Sequence, residues 1–305
     1  MKIIAELGSN WKTFEDCKDA CSIAKKCGAD AIKFQLYSHQ ELFGHSGRIS
    51  AEMPRDWIPL LASKCQAVGI EFMCTAFSVE GLKITDPYVE THKLASSEMN
   101  HVDMIRFLET CGKEIIVSTG GHTETDIQIV NNMLENAFVV FLHCEASYPS
   151  NHSNLRKILR LRELTGRPAG LSDHSLDVFN IPLMAFEYGA DLLEKHYNPF
   201  NYTDTPDAGH SLSSEDFLAM TKNINTTKLP VVCPSKEELA MILRHNRRMI
   251  ATRVIKVGDT LRKDDNYGIY RSLKSDLKGA HPVSMIDNQV SRHDYNVGDA
   301  IEPKQ

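Results

Sequence analysis

Eight short apolar runs, each followed by a segment of helical periodicity, recur through the first 225 residues of this 305-residue chain. The runs fall near residues 2–7, 30–36, 70–76, 92–97, 114–119, 138–144, 168–173 and 190–196. A run of that length, apolar almost throughout, reads as a strand buried on both faces, as in a parallel sheet covered by helices. The segments between the runs suit amphipathic helices; Phe14 to Cys27 is one, with Gly28 placed to end it. Eight strands alternating with helices over residues 1–225 predict a (β/α)8 TIM barrel. An open doubly wound sheet is the competing architecture, but no glycine-rich phosphate loop follows the first run.

Residues 226–243 break the rhythm. Thr226-Thr227-Lys228-Leu229-Pro230 and Cys233-Pro234-Ser235 read as a linker, followed by a short helix from Lys236 to Arg244. Residues 244–305 then read as a small β-rich domain with an internal echo, Val257-Gly258-Asp259 and Val297-Gly298-Asp299, each pair of Gly and Asp suiting a tight turn. A core of about 60 residues is marginal alone, and packing on a barrel mouth would support it. This segment carries 12 basic against 8 acidic residues, a balance of +4 that leaves −10 for residues 1–243 out of a total of −6. Such a split fits chance on two solvated surfaces, or a basic lid over a site for an anionic substrate.

Several classes are excluded. There is no basic run and no nucleic-acid motif. No apolar stretch approaches the roughly 18 residues needed to span a bilayer. Met1-Lys2-Ile3-Ile4-Ala5-Glu6 is charged too soon for a secretory signal. Eight scattered cysteines without paired metal spacing read as free thiols, so a cytoplasmic location is expected.

In a barrel of this kind the site forms at the C-terminal ends of the strands, and polar residues collect there. The first two runs end with Glu6, Asn10, Lys33 and Gln35, and the third with Thr75 and Ser78. Around the fourth lie Lys93, Ser96, Ser97 and Glu98; the fifth ends in Ser118-Thr119-Gly120. His143, with Tyr148 beyond it, Ser172, His174 and His196 follow. The lysines with the serine and threonine hydroxyls make a ring suited to a phosphate and a carboxylate. Glu6 and Glu98 suit the orienting of a hydroxyl or a water. Two histidines on neighbouring strand ends suit a catalytic metal with open positions, although either alone would more often be a satisfied core residue. A lysine could instead form a Schiff base, which leaves the histidines and the hydroxyl ring without a task.

The chain resembles the sialic acid synthases, enzymes that condense phosphoenolpyruvate with an amino sugar. The residues that carry the likeness are Ile3-Ile-Ala-Glu6-Leu-Gly8-Ser-Asn10, Gly28-Ala-Asp-Ala-Ile-Lys33-Phe-Gln35, Lys93-Leu-Ala-Ser96-Ser-Glu98 and Ile116-Val-Ser118-Thr-Gly120. Leu142-His-Cys144 with Tyr148-Pro149, Gly170-Leu-Ser172-Asp-His174-Ser, Glu194-Lys-His196 and Pro206-Asp207 continue it. The last 60 or so residues resemble the family's antifreeze-like (SAF) domain, with Arg247-Arg248-Met-Ile-Ala251 in place. The resemblance implies a divalent metal on His174 and His196, usually manganese, with magnesium or cobalt as substitutes. It implies phosphoenolpyruvate among Lys33, Thr75, Lys93, Ser96, Ser118 and Ser172. Glu6, Glu98, Tyr148 and Asp207 would face the sugar, and Arg271 would reach it from the C-terminal domain of the partner in a domain-swapped homodimer.

The chain departs from the family pattern at Trp11, where an imidazole is usual, and at Ala76, Ala95, Ser97, Ala146 and Ser272-Leu273. The metal and most phosphoenolpyruvate positions are intact, so the expected activity is that of a carbon–carbon bond-forming transferase. Its expected substrates are phosphoenolpyruvate and an N-acetylated hexosamine such as N-acetylmannosamine, and its products a nonulosonic (sialic) acid and phosphate. The alternatives are the same chemistry on a diacetamido-trideoxyhexose, giving legionaminate or pseudaminate, and a non-catalytic sugar-binding relative.

Overall fold

The computed structural model describes residues 1–47, 51–150, 154–227, 247–271 and 286–301. Its strands are β1 (Lys2–Gly8), β2 (Ala31–Leu36), β3 (Glu71–Ala76), β4 (Thr91–Leu94), β5 (Glu114–Ser118), β6 (Phe138–Cys144), β7 (Ala169–Asp173) and β8 (Leu192–His196). All pair in parallel in chain order, and β1 pairs with β8, which closes the barrel. The runs read from the sequence are these strands, within one or two residues at most ends.

Helices return the chain between the strands. They are α1 (Phe14–Lys26), α2 (His39–Phe43), α3 (Trp57–Val68), α4 (Val79–Thr85), α5 (Val102–Thr110), α6 (Glu124–Met133), α7 (Lys157–Thr165) and α8 (Asn180–Glu187), with α9 (Ser214–Thr226) after β8. Their starts follow from capping chemistry: Thr13 and Asp16 form a reciprocal capping box on α1, and Thr123 with Asp126 repeats it on α6.

Alternation along each strand decides which side chains enter the barrel. Outward residues such as Ile3, Ile32, Phe72, Ile115, Phe141 and Leu193 join the helices in one large core. Inward residues Ile4, Ala31, Met73, Ile116, Val140, Leu142 and Leu192 form a separate apolar plug. Two residues further along the same inward face, the chemistry changes. Ile4 is followed by Glu6, Ala31 by Lys33, Met73 by Thr75, Ile116 by Ser118 and Leu192 by Glu194. The apolar plug is thus capped by one layer of polar side chains. Gly170 holds its place in β7 by sterics, since a Cβ there would lie 2.2 Å from the Leu192 carbonyl oxygen.

The chain divides into two compact units, Met1–Leu229 and Pro230–Gln305. In the second, β9 (Arg247–Ala251) pairs antiparallel with β10 (Tyr267–Arg271). Its described core is Met249, Ala251, Ile255, Leu261, Tyr267, Ile286, Tyr295 and Ile301. The internal echo is two copies of one turn. Asp259 Oδ2 accepts from Lys256 N at 2.8 Å, Asp299 Oδ2 from Asn296 N at 2.6 Å, and Gly258 and Gly298 take φ of +97° and +86°. The helix expected from Lys236 to Arg244, most of the linker, and Ser272-Leu273 lie outside the described residues.

Candidate active site

A cavity of about 830 Å³ opens above the polar layer at the C-terminal ends of the strands. Its floor is a network of buried charges. Lys33 Nζ lies 2.7 Å from Glu6 Oε2 and donates to Thr75 Oγ1 at 2.8 Å. Gln35 Nε2 donates to Glu6 Oε1 at 2.7 Å, and Ser172 Oγ to Glu194 Oε1 at 3.0 Å. Lys33 and Lys93 flank Glu194 at 3.6 and 3.8 Å. The strand register produces this contiguity: Glu6 pairs with Lys33, Thr75 with Lys93, and Ser172 with Glu194. Ser118 Oγ is buried with no hydrogen-bond partner among the described residues, a donor available to an anion oxygen.

The two carboxylates on this floor differ in charge. Burial pushes Glu6 up to about 7, with Lys33 opposing and the negative Glu194 adding to the rise. Burial also works against ionised Glu194, but Lys33, Lys93 and the Ser172 hydroxyl overcome it and hold the group at about 2. Burial pulls Lys93 below the ordinary lysine value, only partly offset by Glu194. Near neutral pH the floor therefore holds Glu194 as a carboxylate and Glu6 as a carboxyl poised to gain or lose a proton.

The rim carries the imidazoles. His174 Nδ1 lies 2.8 Å from the Glu145 carbonyl oxygen, which fixes it as the donor nitrogen and turns Nε2 toward Ser172, at 3.5 Å. His196 lies across from it, ring centroids 5.6 Å apart, and the Tyr148 ring stacks on His174 at 4.2 Å. Asp207 reaches the rim because Gly8, at φ +54°, carries no Cβ to block it, and Ser9 N donates to its Oδ2 at 2.8 Å. Burial, then the neighbouring His174 and His210, hold His196 well below the usual histidine value, so it presents a neutral ring. A divalent cation fits such a donor set: neutral imidazoles, a carboxylate, and buried ring nitrogens of His196 and His210 that lack hydrogen-bond partners among the described residues.

The sequence profile of the NeuB family matches residues 20–231. The chain belongs to the NeuB family. This NeuB-family protein is 29% identical to the pseudaminic acid synthase of Campylobacter jejuni, over 98% of this chain and 95% of that one. The N,N'-diacetyllegionaminic acid synthase of Legionella pneumophila is 25% identical over 86% and 83% of the two chains. The N-acetylneuraminic acid (sialic acid) synthetase of Leptospira borgpetersenii, solved with citrate, superposes with a TM-score of 0.72 at 27% identity, covering 79% and 89% of the chains.

Most residues expected from the sequence meet in this one cavity of the NeuB-family barrel: Glu6, Lys33, Thr75, Lys93, Ser96, Ser118, Tyr148, Ser172, His174, His196 and Asp207 all line it. Glu98 does not. It ends a one-turn 3-10 helix, Ser96–Glu98, which presents Ser96 and Ser97 to the cavity and carries Glu98 past it. His143 is also absent from the lining, because Leu142 and Cys144 take the inward positions on either side of it. Trp11 lies outside the cavity, donating to the Gly8 carbonyl at 3.0 Å and packing edge-on against Trp57. Ser78 caps α4 through Gly81 N. Arg271 lies in the second unit, at the end of β10. Glu194, Gln35 (placed at its strand end but given no role) and His210 line the cavity without a role assigned from the sequence. Strand parity with His196 and Lys33 marks the first two, while His210 has only its spacing from Asp207.

Proposed function

We propose that this protein condenses phosphoenolpyruvate with the open-chain aldehyde of an N-acetylated hexosamine, yielding a nonulosonic acid and inorganic phosphate. The observation that carries the reading is the vertical order of the cavity: a cationic, hydroxyl-rich floor beneath an imidazole and carboxylate rim. Lys33, Lys93, Thr75, Ser118 and Ser172 supply donors for a phosphate and a carboxylate. The rim, with His174 and His196, is the place for a divalent cation, manganese in the family resemblance. What a cation bound there would supply is Lewis acidity toward the aldehyde oxygen. Carbon 3 of phosphoenolpyruvate attacks the aldehyde carbon, water adds at carbon 2, and phosphate leaves with cleavage of the C–O bond. Glu6, poised near 7, is the floor group suited to exchange a proton with that water. Tyr148 and Asp207 face the sugar, and Arg271 reaches it from the partner subunit of a swapped homodimer.

The identity with the pseudaminic acid synthase, across 98% of this chain, favours a second reading of the sugar, a diacetamido-trideoxyhexose. Phosphate release measured with phosphoenolpyruvate, Mn2+ and each sugar in turn tests both. Release that depends on one of these sugars supports the corresponding reading. Absence of release with every amino aldose would reject catalysis and leave the sugar-binding alternative.

A further inference from the structure

We infer that His210 is a protein ligand of the divalent cation, adding, with Asp207, a further imidazole and a carboxylate to His196 at one side of the rim. The inference rests on the metal-dependent reading above and extends it to residues outside the His174 and His196 pair. Among the described residues, these three are the group whose ligand atoms all lie within 4.8 Å of one another. Asp207 faces one nitrogen of each ring, Oδ2 3.8 Å from His196 Nδ1 and Oδ1 3.6 Å from His210 Nε2. Both separations are too long for hydrogen bonds, and each ring nitrogen is buried with no hydrogen-bond partner among the described residues. Buried polar atoms are ordinarily paired, so two unpaired nitrogens turned to one carboxylate mark a gap that a cation closes.

Local structure holds the three in place. Asp207 and His210 are three residues apart around a 3-10 turn, Ala208–His210, where side chains at that spacing lie one above the other. Ser211 Oγ donates to the Asp207 carbonyl at 2.7 Å, and Ser9 N holds its carboxylate at 2.8 Å. The His196 and His210 rings meet edge to face with centroids 4.5 Å apart, and the Tyr148 ring lies 4.7 Å from His210. Two imidazoles and one carboxylate on one face leave the remaining positions of a divalent ion open, the arrangement metal-assisted chemistry uses.

The test is Mn2+ binding to the full-length protein, followed by the EPR signal of free Mn2+ and by the 14N couplings of bound Mn2+ in pulsed EPR. Wild type should bind with imidazole couplings. His210→Ala should weaken binding at least about 10-fold and lose part of the 14N signal, which only a directly bound imidazole contributes. His210→Gln, close in volume, keeps the test open if the alanine variant does not fold, and should lose the same 14N component. Wild-type affinity and unchanged 14N couplings in a folded His210 variant, while His196→Ala loses binding, would overturn this inference and leave the metal reading standing. A wild-type protein that binds no Mn2+ would overturn both.

Discussion

Lys195 Nζ donates to Asp173 Oδ2 at 2.6 Å, with both side chains fully buried, and the residue after each is a rim histidine. Lys195 donates further to the Ser175 carbonyl and hydroxyl and to the Asp177 carbonyl. One outward-facing lysine of β8 therefore ties down the segment that carries His174, while the next residue of the same strand places His196.

A buried charge left without its partner costs about 3–5 kcal/mol. Lys195→Met should lower unfolding free energy by that order, and Asp173→Asn combined with Lys195→Met should recover part of the loss. Urea unfolding of the two variants checks this; a single-variant loss below about 1 kcal/mol would show that the pair does not hold the loop.

Glu6 sets a pH dependence of known sign. Its folded value of about 7 exceeds the ordinary 4.5, so between those values the folded protein holds a proton that the unfolded chain has lost. Its contribution to stability therefore falls as pH rises through that window. Glu194, held at about 2, acts in the opposite sense, its contribution present above 4.5 and lost as pH falls toward 2. Glu6→Gln should flatten the change in stability between pH 5 and 7 by on the order of 2 kcal/mol, read from urea midpoints. An anion bound above the floor should raise Glu6 further, so phosphoenolpyruvate binding near pH 7 should take up protons, measurable by calorimetry in buffers of differing ionisation enthalpy.

Lys33 and Lys93 should matter mainly for phosphoenolpyruvate. Charge-assisted hydrogen bonds from each are worth about 1.5–3 kcal/mol, so Lys33→Met or Lys93→Met should raise the KM for phosphoenolpyruvate roughly 10- to 100-fold. The KM for the sugar should move far less. Equal effects on both substrates would point to a packing defect in the floor.

The barrel was legible because a both-faces-buried strand leaves a dense apolar run, and eight of them fall at regular spacing. The floor was legible for a related reason: Lys33, Thr75, Ser118 and Ser172 are polar residues near the C-terminal ends of such runs. Parity distinguishes the remainder. Glu194 shares the inward face with His196, whereas Lys195 and His143 lie on the other face, and a polar residue in a strand does not announce its side without a fixed register. Glu98 and His210 sit on 3-10 turns, where no strand alternation applies and only the path of the turn decides which side chain reaches the cavity.

The proposal of a swapped lid can be tested by mixing. Chains carrying Arg271→Ala and chains carrying His174→Ala should each be impaired. A heterodimer in which the lid acts on the partner's barrel regains one intact site, and activity should reappear. Failure to recover activity in a verified heterodimer would place the lid on its own barrel and leave the barrel chemistry unchanged.

The most direct test follows the bridging oxygen of phosphoenolpyruvate labelled with 18O, turned over with Mn2+ and the sugar that supports phosphate release. Condensation with C–O cleavage sends the label into inorganic phosphate, seen as a two-unit mass increase in the phosphate. Unlabelled phosphate, with the oxygen retained in a pyruvate fragment, would mean P–O cleavage and an aldol route through free pyruvate, and would contradict the account.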